Sequence, residues 1–135
     1  MTATPPLLAT LYVALGGATG SILRYQTGRW MTAWLGPVPM GVFPWATLAV
    51  NTIGSLAMGL LAGILLRMGG DTDSWRLLVG VGLLGGFTTF SAFSLEMAML
   101  IQRGQLGLAG IYALLSLGLG VTGLIFGLTV SRIGA

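Results

Sequence analysis

Residues 1–23, 30–66, 77–95 and 104–131 contain no charged side chain. A helix needs about 18–20 apolar residues to cross a hydrocarbon core roughly 30 Å thick, and each run is near or above that length. The charges between them are sparse: Arg24, Arg29, Arg67, Asp71, Asp73, Arg76, Glu96, Arg103 and Arg132. Only 7% of the 135 residues are charged, against about 25% in an ordinary soluble domain, and mean hydropathy is +0.93. Such a chain would precipitate in water. The pattern predicts an all-α integral membrane protein with four transmembrane helices.

The same inventory excludes several chemistries. There is no cysteine, hence no disulfide and no thiolate metal site. There is no histidine, hence no imidazole proton shuttle. The basic residues are six scattered arginines with no lysine, which is not a nucleic-acid patch. Ser and Thr lack His, Cys or Lys to activate them, and Glu96 alone makes no catalytic dyad, so an enzyme is not expected. The first run has no basic segment before it, which reads as a membrane helix rather than a signal peptide.

The chain reads as one membrane domain with helices over about 7–31, 44–67, 75–102 and 106–132, the third broken at 85–89. LGPVPMG (35–41) is expected to be a turn, and GGDTDS (69–74) an acidic surface loop in which Asp73 or Ser74 caps the third helix. Glycine is abundant, at 23 residues. Gly16/Gly20, Gly59/Gly63 and Gly123/Gly127 have the small-xxx-small spacing that lets helices approach closely in lipid. Two roles fit these pairs: packing within one chain, and building a subunit interface. Arginines fall almost evenly on the two ends of the bundle, three against two or three. The positive-inside rule needs an asymmetry, so near balance predicts dual topology, with opposed copies able to pair. A fixed orientation that short loops do not advertise is the alternative.

GGFTTFSAFS (85–94) is unusual within a hydrophobic segment. As a helix, Phe87, Phe90, Phe93 and Glu96 form one stripe, and Thr88, Ser91 and Ser94 the stripe beside it. Phenylalanines at this spacing commonly pack, and hydroxyls commonly back-bond to the preceding turn. Glu96 is harder to dismiss, because an ionisable group in a membrane segment points to function. A break at the glycines would free backbone groups that only protein, water or an ion can satisfy. Carbonyls freed there suit hard cations, and freed N–H groups suit anions. The second helix presents Thr47, Asn51 and Ser55 on one side, the fourth Tyr112 and Ser116, and the first Gly16, Gly20 and Arg24. For Asn51, an interhelical hydrogen bond and a ligand role fit the spacing equally.

GGATGSILRY (16–25), PWATLAVNTIGS (44–55) and GLLGGFTTFSAFSLE (82–96) together resemble the Fluc (CrcB) family of bacterial fluoride channels, over nearly the whole chain and in the family's order. The resemblance implies an antiparallel, dual-topology homodimer in the bacterial inner (cytoplasmic) membrane, with two fluoride pores side by side. It implies that Phe90 and Phe93 turn ring edges towards each pore and that Asn51 and Ser91 lie along the fluoride path. It further implies that Arg24 stands in a vestibule, that Glu96 belongs to a polar track and that Tyr112 lies near the pore; Thr47, on the same face as Asn51, is counted with the pore residues. Backbone carbonyls of Gly85 and Thr88, two from each subunit, would hold a structural sodium ion at the dimer centre. The chemistry is consistent. Fluoride only accepts hydrogen bonds, Asn and Ser can donate, and an aromatic edge carries partial positive charge.

Two departures stand out. Ala92 replaces the family's usual threonine, and Gly120 and Leu124 fall where the fourth helix usually carries hydroxyls. A thinned track raises the alternative of one subunit of a heterodimeric channel. A small multidrug-type exporter is a further rival, but it needs a carboxylate in its first helix, and residues 1–34 contain none.

Overall fold

The computed structural model describes residues 4–70 and 72–133, so Asp71 of the acidic loop lies outside them. Helix α1 spans Pro6–Leu35, with Pro5 at its cap position and Pro6 in its first turn, where a missing N–H costs nothing. It ends at Leu35 rather than near Met31, and at roughly 1.5 Å per residue it is long enough to cross a bilayer with margin. The expected turn at 35–41 contains a short helix instead, α2 (Pro37–Val42). Gly36 reverses the chain at φ 86°, a conformation that only glycine adopts without strain. Pro37 then enters α2 where proline is tolerated.

Helix α3 spans Trp45–Met68 and stops at Gly69, which takes the left-handed conformation of a helix C-terminus. The third span runs from Asp73 to Gln102 in four pieces. They are α4 (Asp73–Trp75), a π-helical stretch (Arg76–Leu84), α5 (Gly85–Phe87) and α6 (Phe90–Gln102). The cap expected of Asp73 or Ser74 is corrected. Thr72 holds that position without a side-chain cap bond. The helix starts earlier than expected, so Asp73 falls in the first turn, where its charge suits the helix dipole, and it pairs with Arg76 at 3.0 Å. Gly104, at φ 73°, turns the chain into α7 (Leu106–Val130). No strand occurs among the described residues.

The break is narrower than the expected 85–89. Gly85–Phe87 is helical, and only Thr88 and Thr89 are extended, at ψ 161° and 124°. The glycines serve close approach instead. A Cβ on Gly82 would lie 2.9 Å from the Gly16 Cα, and one on Gly86 would strike the Gly17 backbone. Helix α1 therefore lies directly on the π-helical stretch and α5. Wide i→i+5 turns are rare and gather at functional sites. Here Gly85 N–H reaches back to the Gly80 carbonyl, five residues away, as well as to Gly82.

Helices α3 and α7 form the second packed pair. Gly59 meets the Leu124 backbone, Gly63 the Ser131 side chain, and Gly127 the Leu56–Leu60 backbone. Gly16, Gly20, Gly59, Gly63 and Gly127 thus pack helices within the chain. A small core of Phe43, Leu48, Leu100, Ala109 and Tyr112 closes one end. Most leucines along α1 and α7 face outwards, as side chains bathed in lipid do. Exposed Trp30, Trp34 and Trp45 ring one end and Trp75 the other, the placement of interfacial anchors.

Candidate functional site

The break at Thr88–Thr89 organises the site. Asn51 pairs with the Thr89 peptide from both sides. Its Nδ2 donates to the Thr89 carbonyl at 2.9 Å, and its Oδ1 accepts from Thr89 N–H at 2.8 Å. The interhelical bond weighed for Asn51 is therefore present, and it still leaves one amide hydrogen to donate. In a continuous helix Thr89 N–H would close on the Gly85 carbonyl. Asn51 takes that N–H, so the Gly85 carbonyl loses its usual partner. The Thr88 carbonyl accepts from Arg24 Nη1 at 3.1 Å. Gly16 and Gly20 seat α1 against Leu78–Phe87, and Arg24, one turn on, reaches the break from the same face.

The hydroxyl stripe divides in two. Thr88 Oγ1 and Ser94 Oγ donate back to the Leu84 and Phe90 carbonyls at 2.8 and 2.9 Å, the common habit of hydroxyls in membrane helices. Thr89 and Ser91 behave differently. Thr89 Oγ1 caps α6 by accepting from Ala92 N–H at 3.1 Å, and lies 3.2 Å from Ser91 Oγ. When Thr89 donates in that pair, the exposed Ser91 hydroxyl can point its hydrogen outwards. Helical spacing alone gives Thr89 no role. A threonine three residues before a helical amide is a recognisable start signal, but a helix assumed to run through 87–96 hides it.

Phe90 and Phe93 face each other, with centroids 5.7 Å apart. Phe90 is 80% exposed. Phe93 is half-buried and leans on Tyr112 at 5.0 Å, and Phe43 meets the same ring edge-on at 5.5 Å. Nothing in the spacing of Phe43 signals that contact. Glu96 ends the row. Thr47 Oγ1 donates to its Oε1 and Tyr112 OH to its Oε2, each at 2.7 Å. Three helices thus converge on one carboxyl group within the membrane. Ser116, one turn beyond Tyr112, has a buried hydroxyl without a partner.

Open space surrounds these groups on two sides. A cavity of about 650 Å³ lies between α1, α3 and the start of α6, lined by Arg24, Arg29, Thr47, Thr89 and Ala92 among others. Two guanidinium groups make it electropositive. A smaller groove of about 280 Å³ is lined by Asn51, Ser55, Thr88, Thr89 and Phe90. The break separates a basic mouth from an amide, hydroxyl and aromatic lining. Among the described residues no group of three or more His, Cys, Asp or Glu comes together.

Residues 11–128 match the family model described as CrcB-like protein, Camphor Resistance (CrcB). The chain is 59% identical over 136 residues to a protein of Erythrobacter litoralis named fluoride-specific ion channel FluC, covering all of both chains. A protein of the same name from Novosphingobium aromaticivorans is 57% identical over 126 residues, 93% of this chain and 98% of the relative. One from Rhizobium etli is 45% identical over the same shares.

Proposed function

The chain belongs to the CrcB family, and from that premise we propose that it is a fluoride-selective channel of the bacterial inner membrane, passive and non-enzymatic. The observation that carries the reading is the broken third helix. It sets a polar, aromatic-lined surface at membrane depth where lipid can satisfy nothing. The electropositive cavity with Arg24 and Arg29 concentrates anions at its mouth. Beyond it, fluoride exchanges water for fixed donors: the free amide hydrogen of Asn51, the Ser91 hydroxyl and the ring edges of Phe90 and Phe93. A larger halide is less hydrated and gains less from so few small donors. The hydroxyls of Thr47 and Tyr112 hold Glu96 away from the anion's path by occupying both carboxyl oxygens.

The functional unit in this reading is an antiparallel pair of identical chains carrying two pores. The exposure of Phe90, Ser91 and Ser94 on one face supports it, because a partner or pore water must cover that face. Near balance of arginines at the two ends supports insertion in both directions. Gly85 and Thr88 would hold a sodium ion at the centre. The donor chemistry fits. The Gly85 carbonyl has lost its amide to Asn51, the Thr88 carbonyl already accepts from a cationic group, and carbonyl oxygens suit a hard monovalent ion. Such an ion would neutralise carbonyl dipoles turned towards each other across the pair.

The test is efflux from liposomes that contain only this protein. Fluoride should leave rapidly while chloride is retained. Folded dimer that releases neither ion would overturn the homodimeric channel and point to a second kind of subunit.

A further inference from the structure

Arg24 is held in an unusual position. Its helix is fixed by Gly16 and Gly20, whose backbones lie against Leu78, Leu83 and Phe87 with no room for a Cβ. Its guanidinium, permanently charged, reaches from that fixed helix to the Thr88 carbonyl at 3.1 Å. The same side chain lines the 650 Å³ cavity that Arg29 also lines. Two destinations are therefore open to one charged group: the carbonyl at the break and the cavity beside it. The Thr88 carbonyl is also one of the oxygens assigned to sodium, and two cations drawn to one oxygen repel across only a few ångströms.

We propose that Arg24 is the chain's own stand-in cation at the helix break, displaced from the Thr88 carbonyl when sodium binds, so that cation occupancy releases its guanidinium into the cavity that admits the anion. This rests on the sodium assignment above. The π-helical stretch and α5 fix the carbonyl, and the glycine seat fixes the arginine's backbone, so the exchange needs only side-chain rotation. Without the central ion the guanidinium is tethered to the break at the cavity wall. With it, both arginines face the anion. Linkage makes the effect reciprocal: an anion in the cavity draws Arg24 away from Thr88 and so favours sodium.

Sodium affinity can be read without measuring flux. The thermal unfolding midpoint of the purified dimer is followed during sodium titration in N-methylglucamine buffer, with fluoride or with gluconate as the anion. Arg24→Ala is expected to bind sodium about tenfold more tightly than the parent chain. Arg29→Ala, which shares the cavity but makes no contact with Thr88, is expected to stay within about twofold. Fluoride should strengthen sodium binding in the parent and not in Arg24→Ala. Arg24→Gln, neutral and closer in size, serves where the alanine variant does not assemble, with the same expected direction. Equal sodium affinity in all variants would overturn the competition while leaving the sodium site intact. An equal gain in Arg29→Ala would overturn it too, because simple charge repulsion would then suffice. Failure of sodium to stabilise any folded dimer would remove the sodium assignment and this exchange with it.

Discussion

Removing the Asn51 side chain amide should loosen one peptide group in particular. Asn51 makes two hydrogen bonds to Thr89, at 2.9 and 2.8 Å. Each contributes about 1 kcal/mol net, so Asn51→Ala should cost about 2 kcal/mol locally. That corresponds to roughly 30-fold faster hydrogen exchange at the Thr89 amide, measurable by NMR in nanodiscs. Asn51→Asp separates the two bonds. Its carboxylate can still accept from Thr89 N–H, so that amide should stay protected. It cannot donate to the Thr89 carbonyl, and it sets an oxygen against that carbonyl instead. Fluoride flux should therefore stop in both variants, while Thr89 exchange quickens only in Asn51→Ala. Unchanged exchange at Thr89 in Asn51→Ala would refute the clamp. Loss of flux on mutating Asn51 could then be ascribed to direct contact with the anion alone.

Phe93→Ile keeps apolar bulk beside Tyr112 but removes the ring edge, and liposome flux should fall about tenfold or more with the dimer still assembled. Tyr112→Phe deletes one of two hydroxyl donors to Glu96, and thermal unfolding in detergent should show a loss of about 1–3 kcal/mol. Gly16→Ala would drive a methyl group into the Leu78 carbonyl, whereas Gly110→Ala enters open space. The first should abolish assembly on size-exclusion chromatography, and the second should shift stability by less than about 1 kcal/mol.

The four spans were legible because hydrophobic length and charge spacing are properties of the chain itself. The aromatic row at Phe90 and Phe93, with Glu96 beyond it, was legible through helical spacing, as were the faces that carry Thr47 and Asn51 on α3 and Tyr112 on α7. The break was misjudged for a physical reason. Glycine weakens a helix, so Gly85 and Gly86 marked the expected gap, but helices in lipid also use glycine to touch. The residues that open the chain are threonines whose preference is weak. What holds them extended is Asn51, 38 positions away, and that pairing leaves no local trace. The Arg24 contact with Thr88 spans 64 positions and is likewise invisible to spacing on one helix.

The polar atoms around the break fall into two sets, and the division bears on the proposed pairing of two chains. Thr47, Glu96 and Tyr112 satisfy one another, Asn51 satisfies Thr89, and Thr88 and Ser94 bond back to their own helix. Of these groups only Asn51 keeps a free donor, its second amide hydrogen. The Gly85 carbonyl, the Ser91 hydroxyl and the edge of Phe90 remain on the chain's surface at a depth where lipid offers no partner. The first set ties the helices around the break to one another. The second makes a half-site whose unmet groups have opposite preferences, a carbonyl for cations and a hydroxyl with a ring edge for anions. A second copy brought up to this face in the opposite sense would set carbonyl beside carbonyl and donor beside donor. The two ions of the proposed channel are then sorted by the break itself, with the cation held where the carbonyls meet and the anion passing where the donors do.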